Sequence, residues 1–173
     1  MKATTFAERV LKVNHAGENG AISIYAAQIV VARFTAPSLV AELEEFKAHE
    51  REHRSIFWSE LQRRGVRRCK SYWLCGVGGF VLGFITALFG RRAIAATTAA
   101  VERVVLGHLQ HQLHALRDKD EAAVAAISKI VAEETLHLEQ SESHLEAGHF
   151  WPKVLTPIVA ASAESVIWLG MRL

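Results

Sequence analysis

The chain has 173 residues, enough for one domain (1–173) with a full hydrophobic core. Half of the residues are hydrophobic and mean hydropathy is +0.14, while a net charge of +2 and a pI near 8.7 are too balanced to argue for a nucleic-acid partner. Two cysteines, Cys69 and Cys75, exclude a disulfide framework and suit reduced thiols in a cytoplasmic protein, and the N-terminal M-K-A-T-T-F-A-E-R-V lacks the apolar stretch of a signal peptide.

The hydrophobic period is helical almost throughout, with no alternating strand, and predicts an all-α chain. A first helix covers about 5–34 and ends near Thr35-Ala36-Pro37-Ser38. A second covers about 38–64, with Ser38 as N-cap and Gly65 as the stop. The basic run from Arg63 to Lys70 follows, suited either to an anionic membrane surface or to a solvated loop. Residues 72–90 carry no charge. The next helix covers about 91–116, and Asp118-Lys119-Asp120-Glu121 has capping-box spacing for another over about 119–147. Gly148-His149-Phe150-Trp151-Pro152 breaks the pattern before a short apolar helix over about 155–171.

In the second helix, Leu39, Leu43, Phe46, Glu50, His53, Phe57 and Leu61 form one inward stripe. Glu50 and His53 sit in its middle, where an ionised side chain is costly unless paired or metal-bound. The stripe Ile127, Val131, Glu134, Leu138, Ser141 and Leu145 repeats the anomaly, with His137 alongside. Both motifs read E-x-x-H, and Glu18 and Glu102 lie on the apolar faces of the other two long helices. Glu18 precedes Glu50 by 32 residues and His53 by 35, and Glu102 precedes Glu134 and His137 by the same two spacings. Two helical hairpins, each giving Glu and then E-x-x-H, match the template of a ferritin-like four-helix bundle with a di-metal carboxylate site. Four carboxylates balance two divalent cations, and this oxygen-rich set with two imidazoles suits iron or manganese. Open positions on such metals accept dioxygen.

His49-Glu50-x-x-His53 also fits the zinc-protease pattern. That reading lacks a third ligand and leaves Glu18, Glu102 and Glu134 buried without a purpose. His49 then becomes a partly exposed flanking residue, and its replacement should largely spare metal binding. His111, His114, His144 and His149 read as surface or loop residues, and His15 as a packing residue or a support to the site. His108 reads as either a partner behind a ligand or a satisfied core histidine. Tyr25, on the face of Glu18, reads as a packed tyrosine, as part of a substrate pocket or, with His108, as a support or electron-delivery residue behind the ligands.

The uncharged 72–90 stretch is long enough to span a bilayer once, but a single crossing would separate the two half-sites. A segment that dips into one leaflet or lies on the surface is expected instead, with Trp73, Phe80, Phe84, Phe89, Trp151 and Trp168 at the interface. The glycines of this stretch weaken a straight helix. Burial by a homo-oligomer or by a partner protein is the alternative. Membrane-seeking helices beside an oxygen-activating centre imply a lipophilic substrate.

R-V-L-K-V-N-H-A-G-E-N-G-A-I-S-I-Y-A-A-Q (9–28), E-R-E-H (50–53), G-F-V-L-G-F-I-T-A-L-F-G (79–90), A-V-E (100–102), E-E-T-L-H (133–137) and V-I-W-L-G-M-R-L (166–173) resemble the demethoxyubiquinone hydroxylases of ubiquinone biosynthesis, in order over nearly the whole chain. The resemblance implies a di-iron centre on Glu18, Glu50, His53, Glu102, Glu134 and His137. It also implies a peripheral monooxygenase on the cytoplasmic face of the inner membrane that hydroxylates a demethoxyubiquinone-type ring. Dioxygen, NADH as electron source and a lipid-binding accessory protein come with it, and His108 matches a histidine associated with electron delivery. Asn14 stands where the family usually has Asp, and Leu109 where a Tyr often follows the histidine. A ferritin-like iron-storage or peroxide-scavenging protein is the rival reading.

Overall fold

The computed structural model describes residues 4–145 and 150–172, all helical or connecting among the described residues. Six helices follow in order: α1 (Phe6–Thr35), α2 (Val40–Arg63), α3 (Tyr72–Ala87), α4 (Arg91–Leu116), α5 (Glu121–Ser143) and α6 (Phe150–Gly170). The hairpins α1–α2 and α4–α5 face each other as a four-helix bundle. α3 lies along α1 and α6 along α4, so each hairpin carries one flanking helix. The expected ferritin-like bundle with additional apolar helices is the architecture found.

Local chemistry sets the ends. Thr5 and Glu8 form a reciprocal capping box at the start of α1. Ser38 does not cap α2: Pro37–Leu39 forms a 3-10 turn, and Leu39 precedes the helix with no side-chain cap. The fixed φ of Pro37 suits that tight turn, which displaces the helix start. Gly65 stops α2 at φ 65°. Asp120 caps α5 by accepting from the Ala123 N–H at 3.0 Å, and its carboxylate also takes both arms of Arg64 at 2.6 and 2.7 Å. α5 ends at Ser143, short of the expected 147. α6 begins at Phe150 rather than 155, because Pro152 falls in a first turn, where proline is tolerated. The Gly148-His149 part of the expected break, and the reading of His149, lie outside the described residues.

The stripe of α2 is buried along its whole length. That of α5 is rotated from the expectation. Its buried face runs Ala123, Ile127, Ile130, Glu134, His137 and Ser141, while Val131, Leu138 and Leu145 are half-buried. The 4-3-4-3 spacing of α2 recurs in α5 and puts His137 on the central line.

Two apolar clusters fill the bundle. One gathers Tyr25, Ile29, Leu43, Phe46 and Ile94, and the other Leu11, Phe57, Leu61, Leu109, Leu116, Ile127 and Ile130. Along α1, α2 and α4 the acidic and histidine positions fall between the two, and on α5 Glu134 and His137 follow Ile127 and Ile130 of the second. Burying these aliphatic and aromatic side chains contributes about 1.5–3 kcal/mol each.

The uncharged stretch forms one regular helix on the surface. Two of its glycines serve packing: an added Cβ on Gly79 or Gly83 would lie 2.3 Å from the carbonyl oxygens of Gly20 and Ile24, so their lack of a side chain lets α3 press against α1. The outward side exposes Trp73, Leu74, Val77, Phe80, Phe84 and Phe89. Trp168 is exposed on α6, whereas Trp151 is half-buried with its ring 4.9 Å from Phe89. α6 is long and apolar enough to cross a membrane by length and composition, yet it packs along α4.

Candidate metal centre

The four bundle helices bring Glu18 (α1), Glu50 and His53 (α2), Glu102 (α4), and Glu134 and His137 (α5) to one point, none of them more than 4% exposed. In each of two sets the potential ligand atoms all lie within 4.8 Å of one another: Glu18, Glu50, His53 and Glu134, and Glu50, Glu102, Glu134 and His137. Glu50 and Glu134 belong to both. The E-x-x-H spacing explains this, since residues three apart share a helix face.

The interior of the cluster is poorly satisfied: His53 Nδ1 lies 3.1 Å from Glu134 Oε1 and His137 Nδ1 3.4 Å from Glu50 Oε1, close contacts without hydrogen-bond alignment. Glu50 Oε1, both oxygens of Glu134, His53 Nδ1 and His137 Nδ1 are buried without a hydrogen-bond partner. Leaving one such group unpaired costs about 1–3 kcal/mol, and five around one point form a buried donor set that could hold metal ions. The electrostatics agree. Burial pushes the carboxyls of Glu18 and Glu102 well above their ordinary range, and neighbouring glutamates push them further. Burial also opposes charge on Glu50, but the imidazoles of His137 and His53 outweigh it and hold its carboxyl low. Burial lowers His53, yet Glu134 and Glu50 outweigh it and raise it to about 10. The cluster therefore holds protons where divalent ions would sit.

The outer nitrogens of both imidazoles are held from across the bundle. His53 Nε2 lies 2.8 Å from Glu133, and His137 Nε2 lies 2.9 Å from His49 Nδ1, with the His49 and His137 rings stacked 5.2 Å apart. Both Nδ1 atoms then face the cluster, the arrangement expected of metal-ligating histidines. His49 is partly exposed, as its position 100° from Glu50 predicts, but it is not a bystander. Glu133 was not foreseen at all. A signal was present: each occupies the position just before its E-x-x-H glutamate.

Tyr25 does not line the pocket. It is buried against Phe46 and donates its hydroxyl to Glu102. A narrow opening between α1, α4 and α6 reaches Glu18, Glu50, Glu102 and Glu134 past Val13, Ala21, Val105 and Ile167. His108 lines this opening, 3.0 Å from Glu164 of α6 and without a hydrogen bond to the cluster, so it is not a core histidine. Asn14 pairs amide to amide with Gln112 at 2.8 and 3.1 Å, a link that needs no charge. Leu109 sits in the apolar cluster.

His15 is buried between Trp58 and Tyr72 as a packing residue. His111 and His114 are exposed, as expected. His144 is half-buried rather than free, meeting Glu42 at 2.8 Å and Arg91 at 2.8 Å, and so ties α5 to α2 and α4. Cys69 and Cys75 are buried free thiols.

The family model described as "Ubiquinone biosynthesis protein COQ7" matches residues 5–170. The chain is 32% identical to an "NADPH-dependent 3-demethoxyubiquinone 3-hydroxylase, mitochondrial" of Dictyostelium discoideum, over 95% of this chain and 76% of that protein. It is 32% identical to a "3-demethoxyubiquinol 3-hydroxylase" of Rhodospirillum rubrum, over 95% and 77%, and 32% identical to the human NADPH-dependent enzyme, over 96% and 77%. With its bundle, its paired E-x-x-H motifs and this match over nearly its whole length, the chain belongs to the COQ7 family of ubiquinone biosynthesis proteins.

Proposed function

We propose that this chain is a di-iron monooxygenase that hydroxylates the ring of a demethoxyubiquinol-type substrate with dioxygen and electrons from a reduced nicotinamide nucleotide. The names of its relatives support the substrate and favour NADPH over the NADH expected from the sequence. The observation that carries the metal is the set of orphaned buried atoms on Glu50, His53, Glu134 and His137.

The residues fit two divalent ions. Glu18, Glu50, His53 and Glu134 would hold one, and Glu50, Glu102, Glu134 and His137 the other. Bound iron supplies the redox chemistry that activates dioxygen. The protein does the rest. Tyr25 orients Glu102, Glu133 and His49 fix the imidazoles, and the two apolar clusters close the bundle to water on either side. Val13, Val105 and Ile167 give the opening apolar walls suited to a quinone ring. Because Ile167 belongs to α6, a helix with an exposed apolar side forms one wall, which suits entry from a membrane. The same exposed side chains support peripheral attachment to a membrane through α3 and α6, and the cytoplasmic face of the inner membrane is part of this proposal.

Anaerobic purification tests this reading. Two irons per chain are expected, and a demethoxyubiquinol analogue should gain one oxygen, by mass spectrometry, when dioxygen and reductant are added. Two irons without oxygen transfer would point to iron storage or peroxide scavenging. A protein that takes up no iron overturns the proposal.

A further inference from the structure

A cleft of about 260 Å³ outside the metal cluster lies between α1, the outer face of α2 and the start of α3. Arg51, Arg54 and Arg68 line it, and no carboxylate does. Three other arginines of this chain take acids: Arg63 and Arg64 share Glu60, Arg64 also takes Asp120, and Arg103 takes Glu142. Here Arg54 donates to neutral partners, Asn19 Oδ1 at 3.0 Å and the Tyr72 hydroxyl at 3.3 Å. Arg68 lies over the rings of Trp58 and Tyr72, 5.4 and 4.8 Å from their centroids. At the base of the cleft His15 is only 4% exposed, and its Nδ1 has no hydrogen-bond partner. A buried polar atom without a partner beneath three uncompensated guanidiniums marks a place for an anion's oxygens.

The cleft leads into a second feature. Asn19, held by Arg54 and donating to the Tyr72 carbonyl at 3.0 Å, also lines a groove with Ser23, Trp73, Val77, Phe80 and Val81. The Tyr72 and Trp73 rings meet edge to face at 5.2 Å, so the cationic end and the apolar groove adjoin. A free nucleotide would leave the groove in water, and a neutral lipid would leave the arginines unmatched. A phosphate carried on an acyl chain satisfies both. We infer that this cleft and groove bind an anionic phospholipid, its phosphate among Arg51, Arg54 and Arg68 and one acyl chain along Trp73, Val77 and Phe80. The inference rests on the reading of α3 as a membrane-facing helix. It gives the bundle a fixed orientation on the bilayer, with the start of α3 at the level of the headgroups.

The test uses the full iron-loaded chain and flotation with phosphatidylcholine vesicles, with and without phosphatidylglycerol. Wild type should prefer the anionic vesicles. The pair Arg51→Gln with Arg68→Gln, which leaves the hydrogen bonds of Arg54 intact, should lose about tenfold or more of that preference. Ser55→Glu should do the same by placing a charge in the cleft, and Lys119→Gln with Lys129→Gln, on other faces, should keep it. Equal loss in the lysine pair would mean general charge attraction and would overturn the site. Dihexanoyl phosphatidylglycerol below its micelle concentration provides a second arm, read by calorimetry. Binding that the arginine pair removes is expected, and no binding overturns the site even if vesicles still attach. If vesicles fail to bind but the short lipid binds, the membrane reading of α3 fails while the site stands. NADPH binding that the arginine pair removes, with no lipid binding, would make the cleft a nucleotide site and overturn the lipid assignment.

Discussion

At the scale of single residues, the informative pair is the one that precedes the two motifs. His49 and Glu133 each reach across the bundle to the outer nitrogen of the opposite imidazole. Replacing a group that orients a metal-bound histidine typically weakens metal affinity about ten- to a hundredfold. His49→Ala and Glu133→Ala should each show that loss in a chelator-competition titration, with helicity intact. Glu50→Ala or His53→Ala should abolish binding. Unchanged affinity in His49→Ala would restore the flanking role expected from its helical angle. His15 makes a different prediction. Burial first, with Arg54 and Arg68 adding, lowers it from 6.5 to about 4. A base lowered by folding stabilises the protein above its unfolded value, and that contribution is lost as pH falls from 6.5 toward 4. His15→Phe keeps a ring between Trp58 and Tyr72, so about 2 kcal/mol of acid-dependent stability should disappear from urea melts taken across that window.

At the scale of elements, periodicity located every long helix but could not give the phase of α5 or the fate of the glycine-rich stretch. Val131 and Ile130 are equally apolar, and only contact with the facing helices decides which points inward. Glycines at 76, 78, 79 and 83 read as weakness because propensity counts their entropy and not the neighbour they admit. Gly79→Ala and Gly83→Ala each put a Cβ against backbone of α1, which cannot yield as a side chain can. Each should cost about 1–3 kcal/mol in thermal or urea unfolding. Gly78→Ala meets nothing within 4 Å and should be neutral or stabilising by about 0.5–1 kcal/mol. Equal effects at all three positions would refute the close approach of α3 to α1.

At the scale of the whole molecule, a layer of buried charge is held between two apolar clusters, and protons would compete there with the proposed metal ions. Glu18 and Glu102 are raised by burial and His53 is raised to about 10, so all three favour the protonated fold. Their contribution to the metal-free protein is present below the unfolded values, 4.5 for the glutamates and 6.5 for the histidine, and is lost as pH rises through the folded ones. Glu50, held low, opposes them. The metal-free melting temperature should therefore fall as pH rises, and the gain on adding ferrous iron should widen. Calorimetry in buffers of different protonation enthalpy should show protons released on metal uptake. A gain independent of pH would contradict this linkage.

The sequence by itself determined the helical class, the two hairpins and all six members of the central cluster. A charged residue on an apolar stripe is a local anomaly, and its 32-residue repeat is visible without coordinates. Tertiary structure alone decided what stands behind those six. Glu133 and His49 act on histidines of the opposite hairpin, Tyr25 on a glutamate of another helix, and His108 on Glu164 of α6. It also decided that Arg51, Arg54 and Arg68, scattered over one helix and a loop, share a single cleft. Helical periodicity reports which face a residue occupies on its own helix. Which partner it meets depends on how the helices pack, and no local pattern encodes that.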